Sequence, residues 1–133
     1  MINTVVAVFI KDKKILMEKR PETKRAYANF LMCPAGLIKE NESFIETLKR
    51  EMKEELHVDV TTAKHLFTIY DKDPLSKLEF KNNFMLIESY NGKIEKTEEA
   101  KNLVWLSYGE LKKIELASIT DKLIEKLHEK KLI

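Results

Sequence analysis

The 133-residue chain contains one cysteine, Cys33, which excludes an internal disulfide and points to a reducing, cytoplasmic setting. Histidine is scarce as well. His57, His65 and His128 are scattered, and with a single cysteine they do not make a structural zinc set. Any metal bound here would therefore have to take oxygen donors. Neither sign of charge dominates: 24 basic residues face 22 acidic ones, for a net charge of +2, so there is no electrostatic case for nucleic acid as the main partner. Long hydrophobic runs are missing. The apolar stretch over 2–10 is too short to span a bilayer and carries no cleavage-site pattern, so no membrane partner is expected. Repeats, low-complexity tracts and linkers are also absent, and this length predicts one domain over residues 1–133.

What is present is patterned. Residues 2–10 are β-branched and apolar and read as a buried strand; Lys11-Asp12-Lys13-Lys14 is a polar turn, and Ile15–Lys19 is the returning strand. Residues 20–29 are polar, basic and irregular. Phe30-Leu31-Met32 is a short apolar segment, after which Pro34-Ala35-Gly36 breaks the chain. Over Ser43–Leu56, Phe44, Ile45, Leu48, Met52 and Leu56 recur at helical spacing, and Ser43 with Glu46 forms a capping box. "VDV", "HLFTIY" and "FMLIESY" read as separate strands, the last followed by the hairpin signal Asn91-Gly92. Leu103–Leu106 reads as a strand, residues 108–114 as a short helix, and 118–131 as an amphipathic helix with Ile119, Leu123 and Leu127 inward. This order predicts an α/β sandwich with a mixed sheet.

The stretch "REMKEEL" at 50–56 sets Glu51, Glu54 and Glu55 on one helical face, away from the apolar stripe. Like charges at that spacing cost roughly 0.2–0.5 kcal/mol per pair. Either the face is simply solvated, with Arg50 and Lys53 as weak partners, or it holds something strongly positive.

The upstream order bears on that choice. From Gly36 the chain reads "GLIKENESFIETLKREMKEELHV", which resembles the signature of the Nudix hydrolase family, G-x5-E-x7-R-E-U-x-E-E-x-G-U with U aliphatic. Gly36, Glu42, Arg50, Glu51, Met52, Glu54, Glu55 and Val58 occupy its fixed positions, and His57 stands where the family has glycine. "WLSYGEL" at 105–111 is similar to the family's closing strand and helix. The resemblance implies a MutT-like α/β/α sandwich over 1–133, with the signature as a loop-helix. It implies Mg²⁺, with Mn²⁺ as substitute, held by Glu51, Glu54 and Glu55, with the Gly36 carbonyl as a further ligand. Mg²⁺ accepts oxygen ligands while keeping waters and substrate phosphates in its shell. By the same resemblance, Arg50 orients a carboxylate, Glu42 pairs with Arg50 or adds negative charge, and either Glu51 or Glu54 deprotonates the attacking water. Many members take one more acid from a distant loop, for which Glu98 or Glu99 is the candidate.

Departures fall on the loop. Ala35, Lys39 and Asn41 replace a glycine, an acid and a glycine that members often carry; His57 after the helix would need a left-handed backbone, which His tolerates better than most residues. Arg20, Lys24, Arg25 and Lys39 are candidate contacts for substrate phosphates. Tyr27, Phe30 and Phe84 are stacking or packing aromatics, Cys33 a small buried hydrophobe, and the last helix a packing helix.

The implied reaction is Mg²⁺-dependent hydrolysis of a diphosphate linkage in a nucleoside diphosphate derivative: a nucleoside triphosphate, an oxidised nucleotide, or a nucleotide sugar such as ADP-ribose. "PAG" at 34–36 and Pro74, 16 residues past the signature, are similar to ADP-ribose pyrophosphatases, although the N-terminal extension frequent there is missing; the short length suits the triphosphate-cleaning branch. One alternative is a non-catalytic nucleotide-binding module on the same fold, against which the full set of acids stands. Another is an isopentenyl-diphosphate isomerase-like enzyme, suggested by "RPETK" before Cys33 but lacking the His-Pro expected after that cysteine. The expected partner is a small-molecule nucleotide and the expected assembly a monomer or homodimer.

Overall fold

Along Ile2–Val8 (β1) alternate side chains enter two different hydrophobic clusters, and this alternation organises the fold. Val6 and Val8 enter one cluster, Val5 and Ala7 the other, as the period of two along a strand requires. The structure is a computed structural model and describes residues 1–23, 27–97 and 102–133.

β1 lies inside a mixed four-stranded sheet in the order β5-β1-β7-β6. It runs parallel to Glu79–Asn91 (β7), with Thr4 opposite Asn82 and Val6 opposite Phe84, and antiparallel to Ala35–Leu37 (β5). Asp59–Lys72 (β6) closes the far edge, antiparallel to β7. A second, antiparallel sheet centres on Lys14–Lys19 (β3), which pairs with Ile10–Lys11 (β2), Leu31–Met32 (β4) and Leu103–Ser107 (β8). Phe44–Leu56 (α1) seals the Val5/Ala7 side of the first sheet with Leu48, Met52 and Leu56, all fully buried. Each such side chain contributes about 1.5–3 kcal/mol of burial. Tyr108–Leu111 (α2) is a single turn, and Ser118–Glu129 (α3) covers the other side with Ile119, Leu123, Ile124 and Leu127. The result is the expected α/β/α layering.

Several local expectations are corrected. The first strand stops at Val8, and Phe9 turns its carbonyl to the Leu16 amide, linking the two sheets at 3.0 Å. "VDV" and "HLFTIY" are one strand, because bulges between Val60 and Phe67 absorb the polar interruption. Pro34 ends β4, but Ala35 and Gly36 do not break the chain; they pair with β1 as an edge strand. Asn91-Gly92 does not open a hairpin among the described residues. Gly92 (φ 102°) instead passes close to the His57 carbonyl, which a Cβ would meet at 3.3 Å. The last two helices are shorter than expected, ending at Leu111 and Glu129. No helix among the described residues is long and apolar enough to cross a membrane.

Candidate active site

The start of α1 is fixed by the capping box: the Glu46 amide donates to Ser43 Oγ and the Ser43 amide to Glu46 Oε1, each at 3.2 Å. That start leaves Glu42 on the loop, one residue before the cap. Arg50, two turns along the helix, reaches back and grips it by a fork, Nε to Oε2 at 2.9 Å and Nη2 to Oε1 at 2.8 Å. Arg50 Nη1 also donates to Glu51 Oε1 at 2.6 Å, and Nη2 to the Leu37 carbonyl at 3.0 Å. One guanidinium thus ties the end of β5, the loop and the helix together, a task its planar donor set suits. Glu42 accepts two further bonds, from the Lys39 amide at 2.9 Å and from Thr47 Oγ1 at 3.0 Å. The Arg50 hydrogen bonds, supported by that amide, hold the Glu42 carboxyl down at about 2. Of the two options open for Glu42, pairing with Arg50 is the one observed.

Gly36 has a steric role. A Cβ at this position would overlap Glu51 Cγ and lie 2.5 Å from its Cδ, so the Glu51 side chain rests where any other residue would stand. Glu51 and Glu55 both line a cavity of about 350 Å³ that Gly36 also borders, whereas Glu54 sits on the same helical face, exposed and without an ion pair to another described residue. Among the described residues no three His, Cys, Asp or Glu side chains converge closely enough to hold a metal ion by themselves. The donor set nonetheless fits a magnesium-like ion. It is all oxygen and anionic, it lies on one open face, and such ions retain waters and substrate phosphates instead of being enclosed by protein.

Of the three positions that depart from glycine, Ala35 is ordinary strand, whereas Asn41 at φ 66° and His57 at φ 58° take a left-handed backbone. His57 closes α1 by donating its amide to the Lys53 carbonyl at 3.2 Å, the bond of an αL ending, and the Val58 amide donates to the Met52 carbonyl at 3.4 Å. The loop shape therefore survives without those glycines.

Beyond β5 the cavity runs along the α3 side of the mixed sheet. Thr4, Val6, Phe80, Asn82 and Phe84 floor it because the parallel register aims them to the same face. Ile119, Thr120 and Leu123 of α3 form a wall, so this helix does more than pack. Arg20 and Tyr27 lie at the margin. Burial lowers the pKa of the Arg20 guanidinium, while Glu18, Glu55, Tyr27 and Asp73 favour its charge. Tyr27 is buried with a left-handed φ of 54°, and its hydroxyl donates to Asp71. Burial, then that bond, push the phenol well above its ordinary range. Cys33 also lines the cavity, and desolvation pushes its thiol up to about 12, which keeps it protonated.

Of the residues expected from sequence, Gly36, Glu42, Arg50, Glu51 and Glu55 are brought together, and Arg20 joins Glu51 and Glu55 on the cavity wall. The Lys39 side chain is exposed and away from the cavity; only its amide serves the site, through Glu42. Lys24, Arg25, Glu98 and Glu99 lie outside the described residues. Phe30 packs, half-buried, against the core, while Tyr27 and Phe84 reach the cavity. The floor residues Thr4, Phe80 and Asn82, and the α3 wall, were not foreseen. Alternation in β1 could have grouped Thr4 with Val6, but the parallel pairing with β7 leaves no mark in one sequence.

The family model described as NUDIX domain matches residues 1–127. No curated protein matches the chain. Among solved structures, the Escherichia coli ORF135 protein is similar at 26% identity and a TM-score of 0.79, over 97% of this chain and 89% of that one. A MutT NUDIX hydrolase from Burkholderia pseudomallei is 20% identical with a TM-score of 0.81, over 95% of this chain and 97% of that one. The NUDIX domain of Shewanella oneidensis NrtR, solved in complex with ADP ribose, is 21% identical with a TM-score of 0.74, covering 98% and 88%.

Proposed function

The chain belongs to the Nudix family of pyrophosphohydrolases, and from that membership we propose that it cleaves the diphosphate linkage of a nucleoside di- or triphosphate derivative with a divalent metal ion. The observation that carries this reading is the seating of Glu51 on Gly36 under the hold of Arg50, with Glu51 and Glu55 opening on one cavity. Glu51, Glu54 and Glu55, with the Gly36 carbonyl, are the proposed ligands of Mg²⁺ or Mn²⁺. When bound, such an ion neutralises phosphate charge and lowers the pKa of water.

The chain's own groups then divide the work. Arg50 fixes one Glu51 oxygen, and Glu42 fixes Arg50, so the carboxylate keeps its position as substrate charge arrives. Glu54 is the proposed acceptor of the water proton, because Glu51 Oε1 is already engaged by Arg50. Arg20, on the cavity wall, is the proposed phosphate contact. The apolar and aromatic cavity receives the nucleoside part, and residues 1–133 act as one domain.

Product formation from a panel of nucleoside triphosphates, oxidised nucleotides, dinucleoside polyphosphates and nucleotide sugars, ADP-ribose among them, tests this in Mg²⁺. Turnover of at least one member is expected. If none turns over but one binds, the chain is a nucleotide-binding module, a reading to which the ADP ribose complex of the NrtR domain lends support. The isomerase-like reading has no support from Cys33, whose thiol is buried and protonated.

A further inference from the structure

Two neighbouring asparagines in the middle of β7 are both buried, Asn82 at 8% exposure and Asn83 at 1%. They face opposite sides of the sheet and use their amides differently. Asn83 donates both amide hydrogens, to Asn3 Oδ1 and to the Thr4 carbonyl, each at 2.8 Å, and accepts from Thr68 Oγ1 at 3.0 Å. Its role is closed within the fold. Asn82 lines the cavity, donates one hydrogen to the Ile69 carbonyl at 3.2 Å and accepts from Thr4 Oγ1 at 3.1 Å. A primary amide has two donors and two acceptor sites. Asn82 therefore retains one donor and one acceptor beyond these two bonds.

The polarity of that pair is fixed. A backbone carbonyl can only accept, so turning the amide over would set Oδ1 against the Ile69 oxygen. The Thr4 hydroxyl, able to donate or accept, then has to donate to Oδ1. Around this edge the cavity offers flat apolar surface from Phe80, Phe84 and Tyr27. A planar ring carrying a donor and an acceptor on adjacent atoms fits both features, as a primary amide pairs with a base edge.

We propose that Asn82, held in one orientation by Ile69 and Thr4, is the specificity-determining residue of the cavity and reads the hydrogen-bonding edge of the substrate's nucleobase. This rests on the assignment of the cavity to the nucleoside, but not on turnover. Calorimetric titration of the full chain in Mg²⁺ with AMP, GMP, CMP, UMP and ribose 5-phosphate tests it. At least one nucleotide should bind tighter than ribose 5-phosphate. Asn82→Leu should weaken that nucleotide by about tenfold or more, the scale of two hydrogen bonds, and leave ribose 5-phosphate unchanged. Asn82→Ser, smaller and still polar, should give the same pattern, and a thermal melt of each variant establishes that it is folded. Thr4→Val should change affinity less than Asn82→Leu, since the Ile69 carbonyl still orients the amide. Equal weakening of ribose 5-phosphate and nucleotide, or no nucleotide preferred over ribose 5-phosphate, overturns the proposal. Unchanged nucleotide affinity in both folded Asn82 variants overturns it too. Failure of the hydrolase reading would show separately, as absent turnover with base-dependent binding intact.

Discussion

The two ends of the site are built on different principles. At the α1 end, ionised groups are held by short local pairs: Arg50 on Glu42 and Glu51, with Glu51 laid over Gly36. At the α3 end the surfaces are packed and mostly uncharged, and they come from strands and a helix far apart in sequence. Charged groups suit a reaction that must manage phosphate and a cation. Shaped neutral surfaces suit the choice of what the phosphate is attached to. Reaction and selectivity should therefore be separable by mutation.

The largest separation is expected from Glu54→Gln. It should lower kcat/KM in Mg²⁺ by about a hundredfold or more, the scale of a lost proton acceptor or ligand, while nucleotide binding in the cavity and thermal stability stay near wild type. Wild-type-like turnover in this variant would show that the metal site has been misassigned. Gly36→Ala comes next and should blur the distinction, because Gly36 borders the cavity and also supports Glu51. The added methyl must displace Glu51 or shift β5. Overpacking of this kind costs about 1–3 kcal/mol, so a lower melting temperature should accompany a loss of activity of at least about tenfold. A variant that kept both properties would contradict the close contact.

A smaller effect is expected from pH, and only at the α1 end. Arg50 holds the Glu42 carboxyl at about 2, below the value of about 4.3 for an unfolded glutamate. Its contribution to stability is thus complete above about pH 4.3 and is lost as pH falls towards 2. Urea midpoints of wild type and Glu42→Gln should differ at pH 7 and converge between pH 4 and pH 2. A gap that stays constant over that window would mean that the pair is not ionic in effect.

The same division explains what could be read from the sequence. The α1 end is local: Gly36, Glu42, Arg50 and the three acids fall within 20 residues, and helical periodicity alone sets the three acids on one face. The Glu42–Arg50 fork was one of two foreseen options, and the left-handed His57 was anticipated from its place after the helix. The cavity is non-local. Thr4 meets Asn82 across 78 residues through a parallel pairing, and Met32 meets Thr120 across 88. No periodicity encodes such pairings, so the sequence pattern shows neither the cavity floor nor the wall that the last helix lends to it. Asn91-Gly92 misled for a related reason. Its turn chemistry was sound, but tertiary packing against the end of α1 uses Gly92 for close approach instead of strand reversal.

The smallest effect should come from His57→Gly, which restores the residue the family signature carries at this position. A left-handed backbone costs a non-glycine residue about 1–2 kcal/mol, and His57 holds φ 58° and ψ 34°. Against that, glycine loses about 0.5–1 kcal/mol more conformational entropy on folding. The difference favours the variant by up to about 1.5 kcal/mol, visible as a higher urea midpoint at unchanged slope. Its exposed imidazole takes no part in holding Glu42, Arg50 or Glu51. Turnover should accordingly stay the same while stability rises. A fall in turnover would show that the carboxylate face depends on how α1 ends, and would join two features that the local pairing of Arg50 otherwise keeps independent.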